Sequence, residues 1–190
     1  ARAVLIKGVA EFIDASKQVE KRHPGRALFV LWGDVEDDNP ETLTPADLRA
    51  AEHAGFRWMG WCDTVREALH AADIAALPSY REGTPRSMLE AMAMAKPIVT
   101  TRAPGCEALV DEGRNGFLVP VQDADALADA IEKLVVDTGL RERLGAASRE
   151  KCRNEFSDEI VVRDILADLY EITGASENTG TATFAAAARA

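Results

Sequence analysis

The chain alternates short apolar runs with longer stretches of helical spacing. The apolar runs are residues 27–32, ending at Gly33; 56–59, ending at Gly60; 73–77, ending at Pro78; 97–101, opened by Pro97; and 116–120, opened by Gly116. Each has the length of a strand, and its apolarity is continuous, the pattern of parallel strands buried on both faces. Residues 1–6 predict the end of a further strand whose beginning is absent. Between the runs, Val9, Phe12, Ile13 and Val19 recur on one helical face until His23-Pro24-Gly25 stops the pattern. Thr44-Pro45 opens a second helix that runs to Ala54 and stops at Gly55, and Asp63 or Thr64 caps a third over 65–72. A short helix is expected over 106–111, with Gly113 as its stop. Asp123 starts a helix carrying Leu127, Ile131, Leu134 and Val135; another covers 140–154; Ser157 starts the last, with Val161, Ile165 and Leu169.

Strand alternating with helix predicts right-handed β-α-β units: an α/β fold, Rossmann-like, with a parallel sheet and helices on both faces. One domain is expected over 1–174. Beyond it the composition turns to Gly, Ser, Thr and Ala, and 175–190 predict a flexible tail. The acidic segment 34–44 reads as a loop. In open sheets of this kind ligands bind beyond the C-terminal ends of the strands. Lys7-Gly8, Gly33, Gly60-Trp61 and residues 79–87 fall there.

Residues 78–101 are the organising unit: strand end, loop, helix, strand. Thr84 is placed to cap the helix and Pro85 to occupy its first turn, where a missing N–H costs nothing. Met88, Leu89, Met92 and Ala93 share a face, and the helix stops before Pro97. Glu82 lies in the loop and Glu90 within the helix. Amides near Gly83 to Ser87 at a helix start attract phosphate, and carboxylates accept from hydroxyls, so this unit suits a polyol and an anion together. A buried Glu90 needs donors, because an unpaired buried charge is very costly. Taken singly, each glutamate is more simply a solvated or Arg-paired residue.

A net charge of −10 removes nucleic acid as a partner and weakens any electrostatic grip on anionic lipid. Three separated cysteines without C-x-x-C spacing read as free thiols of a reducing compartment. The three histidines lack metal-ligand spacing, and no apolar run reaches the ~20 residues of a membrane span.

The segment E-G-T-P-R-S-M-L-E, Glu82 to Glu90, resembles the E-x7-E motif of family 4 glycosyltransferases, retaining enzymes of GT-B fold. Its flanks, A-D-I-A-A-L-P-S and E-A-M-A-M-A-K-P-I-V-T-T, are similar too. The resemblance runs from about Arg2 to about Tyr170 and covers the family's C-terminal, donor-binding domain. It implies roles. Arg2 and Lys7, in A-R-A-V-L-I-K-G, resemble the cation pair that neutralises the donor's diphosphate. Glu82 matches the glutamate that contacts the donor sugar, and Glu90 the one that holds ribose hydroxyls. Gly83, Thr84, Pro85, Arg86 and Ser87 would meet sugar and phosphates, with Pro85 contributing by position alone. Gly60 and Trp61 lie where the family accommodates the base. Trp32 and Trp58 read as core, and Arg81 has no essential role assigned. The implied donor is a nucleotide-diphosphate sugar, UDP-linked, with no metal or other cofactor. Asp123-x-Asp125 has a metal-binding spacing, but helix capping is its better reading.

The family usually has Gly where Ala95 stands, a change tolerated if that residue is not left-handed. The N-terminal acceptor domain is missing, so the isolated chain is expected to be inactive alone. The implied function is transfer of a hexosyl-type sugar to a polysaccharide or lipid-linked acceptor in bacterial surface-glycan assembly. The implied location is cytoplasmic, at the inner face of the membrane in the full-length enzyme. A non-catalytic module binding a nucleotide sugar or a partner is the alternative. Another GT-B enzyme, such as a nucleotide-sugar epimerase, is a third reading that Glu82, Glu90 and Lys7 weigh against.

Overall fold

The computed structural model describes residues 3–35 and 42–173, so Arg2, most of the acidic loop and the tail expected over 175–190 lie outside the described residues. Two compact units are distinguished, Ala1–Lys151 and Cys152–Ala190. The first holds α1 (Val9–Arg22), β1 (Phe29–Trp32), α2 (Pro45–Ala50), β2 (Phe56–Gly60), α3 (Val65–Ala71), β3 (Ala75–Leu77), α4 (Arg86–Ala93), β4 (Ile98–Thr101), β5 (Gly116–Val119) and α5 (Ala124–Val136). Helix α6 (Thr138–Glu155) begins in this unit, and α7 (Asp158–Thr173) belongs to the second. In α7 the side chains of Val161, Val162 and Ile165 are exposed.

Among the described residues every strand pair is parallel, as the continuous apolar runs predict. They form two hydrogen-bonded groups, β1-β2 and β3-β4-β5. Helix α1 packs against α5, and α3 against α4. Every residue of β4 is buried, with α4 and α5 both packed on it. Phe56, Leu48, Met92, Ile98, Leu127 and Leu134 are fully buried. Each such side chain contributes about 1.5–3 kcal/mol of transfer free energy. No helix among the described residues is long and apolar enough to cross a membrane.

Four local expectations change. Residues 3–7 are not a strand end: Val4 makes a single antiparallel bridge to Thr42, and Leu5–Lys7 is a 3-10 turn. Helix α2 keeps its predicted start, with a reciprocal Thr44–Asp47 capping box, but ends at Ala50 because Glu52 turns back to accept from the Trp58 N–H at 3.1 Å. Neither Asp63 nor Thr64 caps α3 through its side chain. Asp63 instead accepts from the Trp61 indole at 2.7 Å, and Thr64 donates to Glu67 at 2.9 Å. Of the helix expected over 106–111, a 3-10 turn at Glu107–Leu109 is what forms.

Candidate functional site

The site is built at the C-terminal ends of the strands. The 3-10 turn before α1 carries the chain across to the end of β3, where the Ile6 carbonyl accepts from the Tyr80 N–H at 2.9 Å and from Ser79 Oγ at 3.0 Å. Gly8 makes this crossing possible. Its φ is +71°, and a Cβ there would lie 2.0 Å from the Pro78 carbonyl oxygen. Lys7 is thereby aimed at the loop before α4. Its Nζ lies 2.5 Å from Glu82 Oε1, with the two side chains only 17% and 12% exposed.

Glu82 is fixed from behind. Its N–H donates to the Pro104 carbonyl at 3.1 Å. Gly105, at φ +79°, lies so close that a Cβ would stand 1.9 Å from the Gly83 carbonyl oxygen and 2.3 Å from that of Glu82. Cys106 is buried beside this contact, and burial pushes its thiol pKa up. Behind the loop, Thr101 Oγ1 donates to the Ser79 carbonyl, tying the strand end to β4.

Helix α4 starts one residue later than its sequence suggests. Pro85 itself occupies the N-cap position in an extended conformation, ψ 104°, without a side-chain cap, and Arg86 is the first helical residue. Thr84 therefore does not cap the helix, and Pro85 is not inside it. The leading amides of α4 consequently keep the partial positive charge of an uncapped helix start. One turn on, Glu90 is exposed and makes no ion pair among the described residues. The conditional need for donors to a buried Glu90 does not arise.

One cavity of about 1100 Å³ collects these groups: Lys7, Trp61, Glu82, Thr84, Pro85, Arg86, Ser87 and Glu90 all line it. Gly60 and Gly83 are not on its wall, but each is a chain neighbour of a residue that is. Trp61 is 69% exposed at the rim. Trp32 also lines the cavity rather than the core, whereas Trp58 is buried with its indole N–H on the Gly33 carbonyl at 2.9 Å. Asp123 caps α5 by accepting from the Ala126 N–H at 2.8 Å, and Asp125 accepts from Gln18. The described residues contain no cluster of three or more His, Cys, Asp or Glu able to hold a metal.

Nothing in the spacing of the chain points to Glu11. Tyr80 donates to its Oε1 at 2.6 Å, while Oε2 is buried with no hydrogen-bond partner among the described residues. Burial, then the Glu11 carboxylate, raises the Tyr80 pKa. Glu11 lies in the first turn of α1, three residues after Gly8, so this pair stiffens the same crossing that places Lys7.

The arrangement suits a ligand that is anionic at one end and hydroxylated at the other. The family model for glycosyl transferases group 1 matches residues 2–137. A lipopolysaccharide core biosynthesis glycosyltransferase of Rhizobium meliloti, LpsE, is 34% identical over 160 residues, covering 84% of this chain and 45% of that protein. The crystal structure of HepE from Anabaena in complex with UDP superposes with a TM-score of 0.79 at 23% identity, over 90% of this chain and 47% of that one. The C-terminal domain of the group 1 glycosyltransferase LpcC from Francisella tularensis gives a TM-score of 0.68 at 24% identity, over 83% of both chains. This chain spans about half the length of the curated relatives it matches. Its fold is one Rossmann-like half of the GT-B architecture, and the chain belongs to the group 1 glycosyltransferases.

Proposed function

We propose that this chain is the donor-binding half of a retaining glycosyltransferase that moves a hexosyl-type sugar from UDP to a polysaccharide or lipid-linked acceptor. One observation carries the reading: an ammonium at Lys7, an uncapped helix start at Arg86 and an exposed carboxylate at Glu90, with no ion pair among the described residues, share one cavity at the strand ends. Lys7 and the α4 amides take the diphosphate. Glu90 accepts from the ribose hydroxyls. Glu82, held beside Lys7, accepts from hydroxyls of the transferred sugar once the diphosphate engages the ammonium. Trp61 stacks on the base from the rim.

As the glycosyl bond breaks, negative charge grows on the leaving diphosphate, and fixed cations lower that barrier. Lys7 supplies one and Arg2 the second, so the site works without a metal. Neither glutamate acts as nucleophile or general acid. The acceptor reacts on the face from which the diphosphate leaves, assisted by the donor's own phosphate. The acceptor domain lies in the part of the protein ahead of this chain, as the length of the relatives supports. Surface-glycan assembly is the process indicated by LpsE, and the cytoplasmic side of the membrane is its place.

A thermal-shift panel of UDP, GDP, ADP and their sugars tests this, because a ligand that binds only the folded state raises the melting temperature. UDP and a UDP-sugar are expected to give the largest shifts, unchanged by chelator, with no sugar transfer by the isolated chain. No shift with any nucleotide, or shifts abolished by chelator, would contradict the proposal.

A further inference from the structure

Tyr80 and Glu11 lie outside the wall of the donor cavity, yet they meet the chain on both sides of Lys7. The Tyr80 N–H donates at 2.9 Å to the carbonyl of Ile6, the residue before Lys7. Its hydroxyl donates at 2.6 Å to Glu11, in the first turn of the helix that follows Lys7. Ser79 Oγ gives the Ile6 carbonyl a second bond, at 3.0 Å. Just beyond Tyr80 the chain reaches Glu82, whose carboxylate lies 2.5 Å from the Lys7 ammonium. A loop is thus closed, from Lys7 through Ile6 and Tyr80 to Glu82 and back to Lys7, and the Tyr80 hydroxyl ties that loop to α1.

Fold stability does not account for the pair. One Glu11 oxygen accepts from Tyr80, and the other is buried with no hydrogen-bond partner among the described residues. An orphaned oxygen of a buried carboxylate is costly, whereas replacing both members of such a pair by apolar groups of similar shape can be neutral or stabilising. A carboxylate in the first turn of α1 also favours the helix dipole, but an exposed one would do so without burying an oxygen. What the buried carboxylate adds is geometry, because a charge-assisted bond is short and strong.

We propose that the Tyr80–Glu11 bond is a positioning clamp that aims the Lys7 ammonium at the donor's diphosphate, and that the fold gives up stability to hold it. The inference rests on the reading of the cavity as a diphosphate site, and it adds to that site two residues that do not line it. Without the clamp, the turn keeps its own bonds, from the Lys7 N–H to Val4 and from the Gly8 N–H to Leu5. Its hydrogen bonds to the Tyr80 segment are then those of the Ile6 carbonyl alone. A loosely aimed ammonium weakens the grip on a diphosphate and leaves the nucleoside unaffected.

The test is the double variant Glu11→Met/Tyr80→Phe, which removes both polar partners and keeps their approximate size. Gln122, whose side chain also contacts the Tyr80 hydroxyl, is exposed and can turn to water. Calorimetric titration of uridine and UDP is combined with melting temperature and amide hydrogen exchange at Tyr80. The double variant is expected to melt at or above the parent's temperature and to bind uridine as the parent does. Its UDP affinity should fall about fivefold or more, and its Tyr80 amide should exchange faster. On a Lys7→Ala background the same double change should cost UDP nothing further. Tyr80→Phe alone leaves both Glu11 oxygens without a donor, so it should lower the melting temperature. It should also show the selective loss of UDP, which keeps the test available if the double variant fails to fold. Glu11→Gln, whose amide oxygen still accepts from Tyr80, should keep most of the parent's UDP affinity. A pair that merely stabilises the fold would lower the melting temperature of the double variant and weaken both ligands together, which overturns the proposal. So does a UDP affinity that stays at the parent's value. If the parent binds neither ligand, the proposed function has failed, and exchange at Tyr80 alone decides the clamp. Faster exchange in a double variant of undiminished melting temperature then supports it, and unchanged exchange overturns it.

Discussion

The two strand groups are finished to different degrees. In the β3-β4-β5 group, β4 is buried along its whole length, and the loop that carries Glu82 is wedged against Gly105 by backbone contact. In β1 only the first residue is buried, and in β2 buried Phe56 and Trp58 alternate with exposed residues; Leu28 is 56% exposed and Met59 57%. Trp61, which follows β2, stands out at the rim. The groups that would meet phosphate and sugar thus sit on the tightly determined half, and those that would meet the base extend from the loose one. Positioning by close backbone approach is intolerant of change, whereas a half-open edge accepts it. The difference can be measured residue by residue.

The largest contrast is expected between two glycines that share a left-handed φ. Gly105→Ala brings a Cβ within 1.9 Å of the Gly83 carbonyl, so both backbone strain and overpacking apply, together about 2–5 kcal/mol. A Cβ at Gly60, φ +69°, meets nothing within 4 Å. Gly60→Ala should therefore cost only the conformational part, about 1 kcal/mol. Denaturant unfolding of the two variants gives the difference directly, and equal losses would remove the distinction between the halves.

Next in size is the Lys7–Glu82 pair. Lys7→Ala leaves a largely buried carboxylate without its cation, and about 1–3 kcal/mol of stability is expected to go, part of it restored by Glu82→Gln in the same chain. Trp61→Ala, on the exposed rim, should stay within about 0.5 kcal/mol of the parent. Parallel unfolding curves for the three chains check this ordering.

Ala95 offers a gain. Its φ is +57°, so the condition under which alanine would be tolerated there fails. An L-residue in that region costs about 1–2 kcal/mol, against an entropic cost for glycine of about 0.5–1 kcal/mol. Ala95→Gly should thus stabilise the tight half by about 0.5–1 kcal/mol, visible as a raised denaturation midpoint.

The smallest effect concerns a strap between α1 and α5. Glu132 Oε1 lies 2.5 Å from His23 Nε2, and its Oε2 lies 2.7 Å from Arg22. These bonds, that from His23 first, hold the Glu132 pKa below its ordinary 4.5. A depressed carboxylate contributes fully above its unfolded pKa and loses that contribution as pH falls through the folded value. Stability should drop more steeply below pH 4.5 in the parent than in Glu132→Gln, a difference that acid titration of unfolding would reveal.

Much of this architecture was legible from the chain. Continuous apolar runs announced the parallel strands, and the spacing from Glu82 to Glu90 announced the loop and helix beneath the site. Local competition hid some details. Thr84 and Pro85 both suit a helix start, and only the extended backbone at Pro85 decides which of them is the boundary. Ala95 carries no mark of a left-handed residue unless compared with relatives that have glycine. The Tyr80–Glu11 pair joins residues 69 apart, and no periodicity reports such a contact.

The most direct measurement is a calorimetric titration of uridine, UDP and a UDP-sugar into the parent chain, Lys7→Ala and Glu90→Ala. Hydrogen bonds to charged groups contribute roughly 1.5–3 kcal/mol, so each variant should lose about tenfold or more in affinity for UDP. The losses should differ in kind. Lys7→Ala should spare uridine and weaken both diphosphates, and salt should weaken the parent's UDP binding in the same direction. Glu90→Ala should weaken all three ligands, and its effect should vanish for a 2′,3′-dideoxy analogue. Parallel losses for every ligand in both variants would contradict the division of roles, and unchanged affinities in folded variants would place the donor elsewhere.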